Sequence, residues 1–467
     1  MRNQKILLVK LYTGRKYAGV APPLGIMYIA SYARAKMNDN CQVRIVDMRI
    51  DRLDAGGLEK ILKDYSPDIV GMSACSEEDK QMHEVSLSVK TFRKEIVVIA
   101  GGPHPTLCPE EVLEDENIDI VVRGEGEVTF TELLERLCND RDISDVMGIT
   151  YRKEETVVSA PDRPYIEDLD KLPFPAWDMI EVEKYSEFKY LNMNAFTAGK
   201  KYMGIVTSRG CPYGCIYCHN IFGKRFRKRS AENVFHEIQE VVQRYDIDEI
   251  HIYDDIFNYD VERTGRICDL IAESDINIKL AFPNGIRGDI LNEELIKKLN
   301  KAGTYMLTFA LESASLRIQK LIKKNVDIPR LLDNIMYADS IGILTKSYFM
   351  IGFPGETEDE IIETISFACS TPLLFASFFV ATPQKGTGLY KLAREHLPSF
   401  GIDYGDLFYY SENKKYETAL GIPLKKIQRV AYRNFYLDIS RALRILIKMP
   451  RKIFLIRKFM TFISFLR

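Results

Sequence analysis

The run Ser208-Arg209-Gly210-Cys211-Pro212-Tyr213-Gly214-Cys215-Ile216-Tyr217-Cys218-His219-Asn220 places three of the chain's nine cysteines within eight residues. It follows residues 202–207, a short apolar stretch that reads as a strand. Gly210, Pro212 and Gly214 suit a loop that curls around a bound group. Thiolates are soft donors suited to iron–sulfur clusters or zinc. A closed structural zinc site takes four ligands. The spacing Cys-x3-Cys-x2-Cys supplies three, which leaves one iron of a 4Fe–4S cluster open to an outside chelator. The alternative is a zinc knuckle with His219 as fourth ligand, although an adjacent Cys-His pair is awkward for one tetrahedral ion.

Outward from this loop, short apolar runs alternate with helical patterns. Strands are expected at 202–207, 249–253, 278–282, 305–311, 346–351 and 376–381, with helices at 230–245, 260–273, 291–301 and 328–341 between them. Six βα units predict an open, partial (β/α)6 barrel of the TIM type over 201–390, with function at the strand ends. Toward the N-terminus the same alternation recurs. Strands are expected at 5–9, 41–47, 69–73, 96–100 and 118–122, with helices at 24–34, 58–64, 84–93 and 129–137. That pattern predicts a doubly wound, Rossmann-like α/β domain over 1–140. Ligands of such sheets bind beyond the carboxyl ends of the strands. Ser73, Gly101, Gly102, Gly124 and Glu125 are therefore candidate contacts. Residues 141–200 collect Pro161, Pro164, Pro173 and Pro175 and read as a linker, and 391–467 as a helical extension.

Composition bounds the rest. A chain of 467 residues with net charge −2 is not, as a whole, an electrostatic binder of nucleic acid. The remaining six cysteines are scattered without disulfide-like spacing, the N-terminal apolar run is too short for a secretory signal, and no apolar stretch approaches 18 residues. A reducing cytoplasm is expected, where clustered thiols hold metal.

The cysteine loop, including Tyr217 before the third cysteine, resembles the cluster loop of the radical S-adenosylmethionine (SAM) superfamily. The resemblance implies a 4Fe–4S cluster on Cys211, Cys215 and Cys218, chelation of SAM at the open iron, and one-electron cleavage of SAM to methionine and a 5′-deoxyadenosyl radical that abstracts substrate hydrogen. Further motifs follow in the family's order. Ile252-Tyr253-Asp254-Asp255-Ile256-Phe257 resembles the strand-two acidic motif, and Phe309-Ala310-Leu311-Glu312-Ser313 the strand-four motif. Phe349-Met350-Ile351-Gly352-Phe353-Pro354-Gly355-Glu356-Thr357 resembles the strand-five glycine motif. These imply SAM contacts from Asp255, Glu312, Ser313, Gly352 and Gly355. Plain helix caps also account for an aspartate after a strand and for Thr357 with Glu360.

Pro22-Pro23-Leu24-Gly25, Asp47, Gly101-Gly102-Pro103-His104 and Gly124-Glu125-Gly126-Glu127 together resemble the cobalamin (B12)-binding domain fused to one large radical SAM class. None of the six histidines lies in the Asp-x-His-x-x-Gly pattern that supplies cobalt with a histidine, so no cobalt ligand is named. With cobalamin bound, the resemblance implies methylation of an unactivated carbon. A cyclase or rearrangement enzyme whose first domain is only scaffold is the alternative, and a non-enzymatic cobalamin or redox sensor is a third reading. A small-molecule or lipid-like substrate and a reductant such as flavodoxin or ferredoxin are the implied partners.

From 441 to 467 there are eight basic residues and no acidic ones, interleaved with Ile, Leu and Phe at near-helical spacing. Such a helix suits the anionic inner face of a membrane, with its lysines and arginines snorkelling upward. It equally suits packing on the barrel with a solvated basic face.

Overall fold

The computed structural model describes residues 4–14, 20–37, 41–188, 197–397 and 414–449. The chain forms two compact units, the first mainly residues up to 191 and the second mainly those beyond.

In the first unit, strands β1 (Gln4–Lys10), β2 (Cys41–Asp47), β3 (Ile69–Ser73), β4 (Val97–Gly101) and β5 (Ile120–Val122) are parallel. They lie in the order β2-β1-β3-β4-β5. The inner strands β1, β3, β4 and β5 are buried on both faces, which is why each carries a continuous apolar run, whereas the edge strand β2 alternates, with Gln42 and Arg44 exposed. Leu7, Val9, Val70 and Val98 pack with Leu58, Leu62, Val85 and Val89 on one side. Ile6, Leu8, Ile69 and Ile99 pack with Ile26, Ala30, Phe130 and Leu133 on the other. The order reverses direction between β1 and β3, so the carboxyl ends of those two strands, Lys10 and Ser73, flank the switch point where ligands of such sheets bind.

The stretch read as a linker begins otherwise. Strands β6 (Ile149–Lys153) and β7 (Thr156–Ser159) form a hairpin that adds antiparallel to β5, making a sheet of seven. Ile149 and Tyr151 join the core beside Phe130 while β7 stays largely exposed. Burial of one strand outweighs the proline-rich surroundings.

The second unit contains all six expected strands. β8 (Tyr202–Ile205) leads into a two-residue ribbon of β9 (Ser208–Arg209) and β10 (Arg227–Lys228). Then come β11 (Glu249–Ile252), β12 (Lys279–Ala281), β13 (Thr304–Glu312), β14 (Leu344–Ile351) and β15 (Phe375–Val380). Each barrel strand pairs parallel with the next, from β8 through β11 to β15, and the sheet does not close. The intervening helices start on side-chain caps at Ser230, Asp260, Asn292, Asp327 and Thr357. Thr357 and Glu360 make a reciprocal capping box.

An open barrel leaves unpaired backbone groups on its last strand. Here helix Leu424–Tyr436 covers them. Ala376 N–H donates to Tyr436 Oη (3.1 Å), whose hydroxyl donates back to Ala376 O (2.9 Å). Phe378 N–H donates to Tyr432 Oη (3.1 Å), and Gln428 Nε2 donates to Phe378 O (2.6 Å). Phe349 and Phe378 stack on each other, and Phe435 of this helix meets Phe378 edge-on, which makes theirs the outer face of the sheet.

Helix Ile439–Lys448 follows, and its orientation differs from both expectations. Arg441 is buried and donates to the carbonyls of Leu373, Phe435, Cys369 and Thr371 at 2.7–3.1 Å. Arg444 and Lys448 pair with Asp339. The basic face therefore docks on the barrel. The remainder of the proposed basic tail, 450–467, lies outside the described residues. Among the described residues no helix is long and apolar enough to cross a membrane.

Candidate cluster and cofactor sites

The root of the cysteine loop is held by the two aspartates that follow β11. Asp254 is buried and accepts from Thr207 N–H, Thr207 Oγ1 (both 2.6 Å) and Ser208 Oγ (2.5 Å). Asp255 accepts from Gly210 N–H at 3.2 Å, where Gly210 takes φ +82° that side-chain-bearing residues avoid. Asp255 keeps an exposed face at the rim, yet the surrounding chain strips enough water to raise its pKa, and the Asp254 charge adds to this. Further round the loop, Ile216 N–H donates to Ile322 O (3.0 Å) and Leu389 N–H to Ile216 O (2.7 Å). Arg287, buried, sits 3.8 Å above the Tyr213 ring. The loop is thus fixed at its root, its middle and its aromatic flank before any ligand enters.

The thiols differ in state. The Cys218 thiol donates to Cys215, which draws Cys215 down to about 6 against the opposing effect of burial, with Lys324 helping, and holds Cys218 well up. Burial raises Cys211. His219 Nε2 is engaged by Gln384 Oε1, while its Nδ1 is buried without a hydrogen-bond partner. Among the described residues no three His, Cys, Asp or Glu side chains converge as one metal ion requires. The donor set, three thiols on a pinned loop, fits a cluster in which each thiolate takes its own iron.

Glu312 ends β13 at a bulge against β14 and takes φ +71°, a conformation costly for a glutamate. The bulge turns its carboxylate to the cysteine loop. Glu312 Oε1 accepts from Tyr217 Oη (3.2 Å) and lies 3.7 Å from Lys324 Nζ. Burial raises its pKa, and Lys324 offsets part of that. Ser313, by contrast, is enclosed. Its hydroxyl meets Thr364 Oγ1 at 3.1 Å and accepts from Ser315 N–H at 3.2 Å, so it shapes the turn and does not join Glu312 at the loop. The Gly352–Gly355 turn is tight, both glycines at positive φ. Glu356 Oε2 accepts from Gly352 N–H (2.6 Å) and Phe353 N–H (3.0 Å), and Tyr416 Oη donates to Gly352 O (2.8 Å).

A polar layer inside the barrel was missed. On the face opposite the helix-covered one, the registers set His251 between Gly204 and Ala281, and Thr308 beside Lys346. Glu249 Oε1 lies 2.6 Å from His251 Nε2 and accepts from Tyr305 Oη (2.7 Å), and all of Glu249 and His251 is buried. His251 Nδ1 has no hydrogen-bond partner. The signal lay in Glu249-Ile250-His251-Ile252, a period-two alternation that puts two polar side chains on one face.

In the first unit the exits of β3 and β4 are stitched together by Ala74 N–H to Gly101 O and His104 N–H to Ala74 O (both 3.0 Å). Gly102, at φ +92°, lies so close to Ser73 that an added Cβ would sit 2.7 Å from Ser73 Oγ. Gly124 (φ +71°) has open space beside it. These fit a large ligand approaching the backbone at the carboxyl edge. Glu125 is turned elsewhere: its buried carboxylate accepts from Ile166 N–H (2.7 Å) and anchors the following segment. Asp47 is likewise structural, capping helix Met48–Asp51, pairing with Arg49 (2.6 Å) and accepting from Tyr185 Oη (2.9 Å). Lys10, at the switch point, pairs with Glu78 at 2.5 Å. Neither Lys10 nor Glu78 was legible, because 68 residues separate them. His104 is buried 2.8 Å from Asp79, and so stands as no cobalt ligand.

Comparison with known proteins agrees with both units. The Radical SAM superfamily model matches residues 205–368, and the B12 binding domain model matches 12–134. An uncharacterized methyltransferase from Pyrococcus horikoshii is 32% identical over 94% of this chain and 93% of its own length. Cytidylyl-2-hydroxyethylphosphonate methyltransferase from Streptomyces wedmorensis is 32% identical over 71% of this chain and 67% of its own. Among solved structures, the radical SAM methyltransferase TsrM from Kitasatospora setae has the same fold, with a TM-score of 0.67 at 18% identity over 80% of this chain and 73% of that one. The thiol loop, the six-stranded open barrel and the 2-1-3-4-5 sheet ahead of it converge: this chain belongs to the radical SAM superfamily, in the class that carries a B12-binding domain.

Proposed function

We propose that this enzyme methylates an unactivated carbon of a small-molecule substrate. The observation that carries the reading is a pinned three-thiol loop facing Glu312, on a chain whose other domain is of the B12-binding family. Its cofactors are a 4Fe–4S cluster, SAM and cobalamin, and like other radical SAM enzymes it draws electrons from an external reductant. When bound, these groups supply one-electron cleavage of SAM, hydrogen abstraction, and a methyl group that a carbon radical can accept.

The chain's own residues do the rest. Cys211, Cys215 and Cys218 hold the cluster, and the Asp254 clamp keeps their loop in place. Glu312 and Asp255 line the SAM position, with Lys324 setting the charge of Glu312. Gly352 and Gly355 shape the adenine side by letting the backbone turn sharply, whereas Ser313 supports that turn from behind. Ser73, Gly101, Gly102 and Gly124 form the cobalamin-facing edge, and Glu125 steadies it through Ile166. The inner-face pair Glu249–His251 gives the barrel a polar floor, which favours a substrate bearing hydrogen-bonding groups. A small acidic redox protein of the flavodoxin or ferredoxin kind is the electron donor that suits such an enzyme.

The test is methyl-labelled SAM, offered to reduced holoenzyme with candidate small molecules. Label entering product establishes methylation. 5′-Deoxyadenosine with unlabelled, rearranged product marks a cyclase-type enzyme, and no 5′-deoxyadenosine at all marks a sensor. Stoichiometric cobalt after anaerobic purification with cobalamin supplied separates a working B12 domain from a scaffold.

A further inference from the structure

Twelve large apolar side chains stand exposed among the described residues, and five fall between Leu437 and Ile447. The other seven are scattered along the chain and need no explanation. Ile439 (75% exposed), Leu443, Leu446 and Ile447 (80% exposed) recur at helical spacing and share one face of helix Ile439–Lys448, with Leu437 just ahead of it. The opposite face holds Arg441, Arg444, Ile445 and Lys448, and it is that face which packs on the barrel. The cations are committed to carbonyls at the end of helix Glu358–Ser370 and to Asp339, where helix ends attract positive charge. An ordinary surface helix turns its apolar side inward. This one does the reverse.

We propose that the outward stripe Leu437, Ile439, Leu443, Leu446 and Ile447 is a docking surface for an anionic lipid bilayer. Two features choose that occupant. In the sequence, residues 450–467 hold five basic residues, no acidic ones and ten large apolar ones. That is more apolar surface than a five-residue stripe can bury, so the two together exceed what self-covering would satisfy. The five charges are also uncompensated within the segment, and Asp438, the acidic residue beside the stripe, is spent capping the helix through Arg441 N–H (2.6 Å). Apolar side chains with adjacent basic charge are what the interface of an anionic membrane binds. Arg457 and Lys458 interrupt the apolar run, so the contact is interfacial rather than spanning.

The test is flotation of the full-length holoenzyme on vesicles of phosphatidylethanolamine with 30% phosphatidylglycerol, against pure phosphatidylcholine. The full chain is expected to float with the anionic vesicles, to leave them as salt rises, and to ignore the neutral ones. The double variant Leu443→Glu, Ile447→Glu should bind about tenfold more weakly, with 5′-deoxyadenosine formation unchanged because neither residue touches the site. Equal binding by variant and parent overturns the proposal. So does stronger binding after truncation behind Met449, which makes 450–467 a cover for the stripe. Loss of a dimer in the variant with no change in flotation likewise overturns it, in favour of a second copy.

Discussion

Tyr217 Oη stands 3.2 Å from Glu312 Oε1, joining the cysteine loop to the end of β13 across 95 residues of sequence. Glu312 reaches that position only through a bulge and a left-handed backbone. Strain of this kind persists where surroundings enforce it, and here they enforce the approach of a carboxylate to the cysteine loop.

Glu312→Gln keeps a hydrogen-bonding oxygen but removes the charge. It should weaken SAM binding about 10- to 100-fold, the scale of a lost charge-assisted hydrogen bond, while iron content stays at the parent level. Equilibrium binding of SAM to the reconstituted variant checks this. Tyr217→Phe should have a smaller effect in the same direction.

Gly102→Ala places a Cβ 2.7 Å from Ser73 Oγ and 3.1 Å from the Ala74 backbone, at a φ of +92°. The β3 and β4 exits must shift apart. Cobalt content is expected to fall with cluster absorbance retained, because the damage lies in the first unit. Metal analysis of protein produced with cobalamin reads both.

Glu356 is buried, and burial pushes its pKa up to about 7 despite the two backbone N–H groups it accepts from. The folded state therefore holds a proton that the unfolded chain releases near its ordinary value. The associated stability is complete below about 4.5 and is lost as pH rises through about 7, a change of about 3 kcal/mol. Denaturant midpoints from pH 5 to 8 should decline for the parent, and decline less for Glu356→Gln.

Tyr436→Phe removes both hydrogen bonds at Ala376 on the open edge of the barrel. The cost should be about 1–2 kcal/mol, seen as a lowered denaturation midpoint. Amide exchange should quicken at Ala376 and Phe378 before it does in β13.

Much of this was legible in the sequence, for identifiable reasons. Strands buried on two faces announced themselves, so Ile6-Leu7-Leu8-Val9 and Tyr348-Phe349-Met350-Ile351 read as unbroken apolar runs. The hairpin of β6 and β7 did not, because one strand is exposed and prolines follow closely. Periodicity showed that the segment beginning at 441 alternates basic and apolar residues at helical spacing, but only packing decides which face turns inward, and buried hydrogen bonds of Arg441 decided it. Ser313 looked available because its partner Thr364 lies 51 residues away, on helix Glu358–Ser370. Pairings at such separation, like Lys10 with Glu78, leave no local trace.

The cluster itself gives the most direct measurement. Anaerobically reconstituted protein, reduced and examined by electron paramagnetic resonance with iron and sulfide analysis, should show a 4Fe–4S signal that SAM alters. It should also yield 5′-deoxyadenosine. Cys211→Ala, Cys215→Ala and Cys218→Ala should each lose both. Zinc in place of iron, or undiminished 5′-deoxyadenosine from any of the three variants, would contradict the account.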